Sequence, residues 1–203
     1  SKNGLSRTGF STITRTFGNL TKICELLFEH LFNLQDLVPD DIMKFFTEFV
    51  KPLLGVSMEF FISTYECILT KVLPVLTNCN VNVFIKFATL GLINEISVLP
   101  SATKVKLYTV PRISSSYISL ATAIREVGDY DTQVQIVELL LRVIPAAKRP
   151  EFAQRYVCPG SEYLAQQFCS LIGQQFEPAA RNFLNAFNKE CQHSQRVFSV
   201  PCM

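Results

Sequence analysis

The sequence predicts an all-α fold, an irregular armadillo- or HEAT-like solenoid of about eight to ten short helices. Three observations carry that expectation. Apolar residues recur three and four apart from Phe17 onward; prolines, glycines and capping side chains interrupt the pattern at short intervals; and no stretch before residue 196 alternates as a strand would. No strict repeat period accompanies the pattern, hence "irregular".

In chain order, Phe17, Leu20, Cys24, Leu27, Phe28, Leu31 and Phe32 trace the first helix. "PDDIMKFFTEFVK" starts the second, with Asp40 as cap, Asp41 at the positive end of the dipole, and Pro52 beyond its far end. "SMEFFISTYECILTKVLP" follows with Ser57 as cap, then "NVNVFIKFATLGLINEISVLP" with Asn80 or Asn82 as cap and Pro100 as its close. Both are apolar nearly all round, which predicts packing on two sides. "SATKVKLYTVP" reads as one short helical turn. "RISSSYISLATAIREVG" is a helix ending at Gly128, where a left-handed C-cap is expected. Asp129 or Asp131 caps the next, Thr132 to Ile144. "KRPEFAQRYV", "SEYLAQQFCSLIGQQF" capped by Ser161, and "EPAARNFLNAFNKEC" with Pro178 at its first position complete the set. In "RVFSVPCM", Val197, Phe198 and Val200 begin a strand or an extended tail.

A length of 203 residues and 22.9 kDa suits one domain or one repeat array. The expected limits are a flexible basic segment at 1–16, a helical domain at 17–195, and a linker or first strand of a following domain at 196–203. The opening residues contain basic but no acidic side chains, no starting Met and no signal-type apolar core, as an excised segment would. Charges and prolines break the apolar runs before the roughly 20 residues that cross a bilayer, so a soluble chain without a membrane partner is expected. The net charge of +2 excludes a global electrostatic demand for nucleic acid or acidic substrate.

Seven cysteines at scattered spacings, with no CxxC, favour reduced thiols over a disulfide framework. Cys191, His193 and Cys169 are the nearest approach to a ligand cluster, short of the four that structural zinc requires, so no metal or cofactor is expected. Phosphate loops and the HExxH and GxSxG motifs are missing, His30 lies in an amphipathic helix, and no small-molecule substrate or catalysis is expected.

Local charge is more informative. No acidic residue lies between Ser97 and Arg125, whereas Lys104, Lys106, Arg112 and Arg125 are basic, and Arg142, Lys148, Arg149 and Arg155 follow. Solenoid turns would gather these eight into one ridge, a candidate partner-binding surface, against the alternative of solvated helix ends. The aromatics do not interleave with the charges as a single-strand platform requires, so DNA contact would be weak and through the phosphate backbone alone. The carboxylates in "GDYDTQVQIVELLLRV" invite a catalytic reading too. Their place after a C-cap glycine and before an apolar run assigns Gly128, Asp129, Tyr130 and Asp131 to a structural joint instead.

That joint, with Phe176-Glu177, Arg181, Phe183-Leu184-Asn185, Arg196-Val197-Phe198 and Pro201-Cys202, resembles the N-terminal region of the synaptonemal complex protein 2 family, which includes a 2-like paralogue. The likeness runs from about Tyr117 to Met203; upstream only helical character matches. Leu141 stands where the family pattern has cysteine, and Pro178 enters a stretch that is more acidic there. The resemblance implies an armadillo-like domain of a chromosome-axis scaffold, the lateral element of the synaptonemal complex. It also implies nuclear, meiotic localisation and protein partners among axis, centromere or kinetochore components. A DNA- or chromatin-binding helical domain acting through the basic ridge is the alternative.

Overall fold

The computed structural model describes residues 57–190 apart from 128, 172 and 174, together with Lys22 and Glu48. The first two expected helices, the limits at 16 and 196, the closing strand, Gly128, His30, Cys191 and His193 lie outside the described residues. Eight α-helices and no strand occur among the described residues, so the all-helical expectation holds there.

Helix α1, Met58–Thr77, begins where Ser57 Oγ accepts the Phe60 N–H at 3.1 Å. Phe61 and Tyr65, one turn apart, stack with centroids 5.5 Å apart. Pro74 does not end this helix. It stands inside, on the exposed side, and the helix tolerates its missing N–H for one further turn. The resulting 20 residues are long and apolar enough to cross a bilayer, contrary to the expectation that every run is too short. Buried core helices meet the same test, and Phe60, Phe61, Tyr65, Ile68, Leu69, Val72 and Leu76 are buried within the protein.

The chain divides into two compact units, 1–71 and 72–203, and α1 runs across the division. In the second unit, α2 spans Val83–Ile96; Asn82 rather than Asn80 caps it, Oδ1 accepting the Phe84 N–H at 2.9 Å. The chain then bends by 116° into α3, Ser101–Thr109, a full helix where one turn was expected. Helix α4, Pro111–Ala123, places proline at its first position, where no donor is needed. Helix α5, Tyr130–Val143, starts two residues before the expected Thr132.

Pro145 ends that run, and a 3₁₀ turn (Ala146–Lys148), the short α6 (Arg149–Phe152) and a π turn (Ala153–Val157) follow. Gly160 and Gly173, at φ of 91° and 102°, make the turns before and after α7, Glu162–Ser170, a backbone state that side chains disfavour. Helix α8 is Phe176–Glu190. Two capping expectations fail here. Ser161 makes no side-chain cap, because its hydroxyl bonds Glu190 Oε2 at 3.1 Å. Pro178 is the third residue of α8, still within the turn whose N–H groups lack helical partners.

Helix α5 is central to this unit. It packs on α2, α4 and α8, while α3 packs on α4, and α7 on α8 and the π turn. Its stripe Ile136, Val137, Leu140 and Val143 is fully buried, as are Phe183, Leu184 and Phe187 of α8. Each such side chain contributes about 1.5–3 kcal/mol by leaving water.

Candidate functional site

The basic residues from Lys104 to Arg155 divide into two groups. Three arginines face inward onto helix ends. Arg149 donates from Nη2 to Leu141 O at 2.6 Å and from Nε to Ile144 O at 3.1 Å, occupying carbonyls at the end of α5 that have no helical donor. Arg142 donates from Nη1 to Asn94 O at 2.8 Å, near the end of α2, and pairs through Nη2 with Glu138 one turn earlier. Arg125 donates to Val157 O at 2.8 Å and lies over the Phe187 ring, 5.3 Å from its centroid.

The other five are more open. Lys106, Arg112, Lys148 and Arg155 are exposed and Lys104 is half-buried. Lys148 approaches Glu151 at 4.0 Å, a surface pair of small energetic consequence. Arg155 lies over Tyr156 at 5.3 Å. Helix α3 brings Lys104 to the first group: burial lowers its pKa, and the charges of Arg149 and Arg142 lower it further. One turn on, Tyr108 has its pKa raised by burial, then by Glu151 and Tyr156, with Arg155 opposing. The structure thus brings Lys104, Arg142 and Arg149 together, and holds Arg125 against α8.

At the joint, Asp129 is the cap of α5, its Oδ1 accepting the Thr132 N–H at 2.7 Å. Asp131 is exposed in the first turn. Arg181 of α8 lies over Tyr130, 5.4 Å from the ring centroid. Asp129 Oδ2, Tyr130 OH and Thr132 Oγ1 are buried with no hydrogen-bond partner. Burial raises the Tyr130 pKa, Arg181 opposes, and Asp131 and Glu177 add to the rise. Next to the joint is a feature the sequence reading missed. Gln133 and Asn188 exchange two amide hydrogen bonds of 3.0 Å, and Gln133 Nε2 also donates to Ile124 O at 2.8 Å. An amide on the apolar stripe of each helix was the available signal. A second omission is the first turn of α2, where Val83, Phe84 and Phe87 are 41%, 70% and 42% exposed despite the expectation of burial on both sides.

An open groove of about 420 Å³ runs between α6 and α7, lined by Pro150, Gln154, Glu162, Ala165, Gln166 and Cys169. Its carboxylate accepts from Gln166 Nε2 at 3.2 Å. Burial raises the Cys169 pKa, with Arg149 opposing, which keeps the thiol protonated and a poor nucleophile. Among the described residues no three His, Cys, Asp or Glu side chains are grouped to hold a metal ion.

Asp129 and Ser57 cap, arginines clamp helix ends and amides latch helices, so these polar groups define a helical packing module. Its relatives are known by name. Over 100 residues the chain is 33% identical to synaptonemal complex protein 2-like of Xenopus laevis, covering 49% of this chain and 10% of that protein. It is 35% identical to human synaptonemal complex protein 2 over 85 residues, 42% of this chain and 5% of that protein. Mouse synaptonemal complex protein 2-like matches at 34% over 84 residues. Over that part of its length the chain is similar to proteins of the synaptonemal complex protein 2 family, and the match spans a tenth or less of each of them. No family model and no solved structure matches it.

Proposed function

We propose that this chain is a non-catalytic protein-interaction domain of a meiotic chromosome-axis scaffold in the lateral element of the synaptonemal complex. Its place is the nucleus, on meiotic chromosomes, and its partners are chromosome-axis or centromere and kinetochore proteins. The carrying observation is the 33–35% identity to synaptonemal complex protein 2 and 2-like proteins. An armadillo-like stack suits the role, because such arrays act by offering extended surface; the many short helices and the central α5 support that arrangement.

The ridge around α3 is the candidate surface, with Lys106, Arg112 and Lys148 as its exposed charges and half-buried Lys104 beside them. A tagged full-length protein is expected along paired axes or at centromeres in meiotic prophase, and charge reversal at those four residues is expected to weaken recruitment without unfolding. Uniform cytoplasmic staining in meiocytes would overturn the reading. The acid-free stretch from Ser97 to Arg125 favours one second reading, DNA or chromatin binding through the same ridge. Tight duplex binding by the isolated chain, lost on the same reversal, is the result that would favour it.

A further inference from the structure

We propose that α3 and the loop before it form the docking face for an acidic segment of a partner protein that carries aliphatic side chains. The inference rests on the protein-interaction reading and gives the partner a chemistry.

Helix α3 has little of its surface inside compared with α7, which has the same nine residues: Leu107 is its one buried residue, against three in α7. Val105 is 52% exposed and Val98, just before the helix, 70%. Ala102, Val105 and Thr109, spaced three and four apart, share one exposed side. An apolar strip of this kind gains by being covered, and its surroundings select what covers it.

Those surroundings are basic. Lys104 and Lys106 flank Val105, Arg112 follows at the start of α4, and the Arg142 and Arg149 charges stand close to Lys104. Of the neighbouring carboxylates, Glu138 pairs with Arg142, and Glu151 approaches Lys148 only at 4.0 Å on the surface. A carboxylate-bearing segment would relieve the crowding of cations around Lys104 and steer association. Nucleic acid would meet the charges but gain nothing from Val98 and Val105, since phosphates have no apolar counterpart. Exposed valines in a basic surrounding therefore favour a peptide that carries both acidic residues and Leu, Ile or Val.

A random-peptide display library selected on the intact chain tests this directly. The selected peptides are expected to be enriched in Asp and Glu with aliphatic residues three or four apart. Their binding is expected to fall about tenfold in Val105→Ser, and further in Lys104→Glu/Lys106→Glu, with unchanged circular dichroism. Lys106→Glu alone, at an exposed site, is the fallback if the double variant fails to fold. Selected peptides without acidic enrichment, or equal binding by Val105→Ser, would overturn the proposal. A DNA duplex binding more tightly than any peptide, and unaffected by Val105→Ser, would overturn it in favour of nucleic acid. The functional reading is tested separately by location. Peptide binding with no chromosomal staining removes the meiotic role and leaves the docking face, whereas normal staining in Val105→Ser cells together with equal peptide binding removes the docking face alone.

Discussion

Asp129 and Asp131 stand two residues apart at one helix start and differ in what they do. Asp129 makes the hydrogen bond to Thr132 N, whereas Asp131 only adds charge to the first turn. Asp129→Ala is therefore expected to cost about 1 kcal/mol in urea denaturation. Asp131→Ala should cost about half that or less, the size of an exposed dipole interaction. Between them Tyr130 keeps a buried hydroxyl without a partner. Tyr130→Phe removes that group while preserving the ring under Arg181, so stability is expected to hold or to rise by up to about 1 kcal/mol. The pH dependence has a definite sign. Because burial raises the Tyr130 pKa, its protonated form stabilises the fold below the ordinary tyrosine value, and that contribution is lost as pH rises through the folded value. Tyr130→Phe should flatten this alkaline loss in melting curves. The joint was legible in the sequence because cap chemistry is local; the orphaned hydroxyl was not, because tertiary packing decides which oxygens are buried.

At the scale of helices, local punctuation was read well and long-range partners were not. Ser57 and Asn82, the latter one of two candidates, act where short-range rules place them, whereas Pro111 opens a helix instead of closing the turn before it. Ser161 departs from those rules because its hydroxyl found Glu190 on another helix, and α1 continues past Pro74 on its exposed side. The Gln133–Asn188 latch joins residues 55 apart in sequence, beyond any periodicity argument. Its removal should be costly. Gln133→Leu removes hydrogen bonds from the Asn188 amide and the Ile124 carbonyl in a buried setting, an expected loss of about 1–2 kcal/mol. Combined with Asn188→Leu, the loss is expected to fall short of the sum of the two single changes, and a double-mutant cycle on unfolding free energies measures the difference. Strictly additive losses would mean that the two amides act independently.

For the molecule as a whole, the composition of the ridge was visible in the sequence and its geometry was not. Counting basic residues cannot tell a cation facing water from one turned onto a carbonyl, and Arg125, Arg142 and Arg149 are turned. Burial, and after it the charges of Arg149 and Arg142, lower the Lys104 pKa, so its protonated form opposes folding at neutral pH. That penalty is relieved as pH rises from the depressed value towards the ordinary one. Lys104→Met is thus expected to melt higher than the parent at neutral pH, with the gap narrowing under alkaline conditions; a constant gap would mean the charge is irrelevant. The scattered cysteines lead to a further expectation: chelator and reducing agent should leave the melting temperature unchanged, since structural zinc or a disulfide would contribute kilocalories.

The inward-facing arginines also set a ceiling on counterion release. Of the eight ridge cations, three are already hydrogen-bonded to backbone carbonyls, leaving Lys104, Lys106, Arg112, Lys148 and Arg155 as the largest set able to displace ions from a polyanion. If a duplex bound this ridge through those five side chains alone, its logarithmic affinity would fall with logarithmic salt at a slope of about −4.5, against the roughly −7 that eight contacts would give. Ionic strength therefore counts, from solution alone, how many of these side chains face outward.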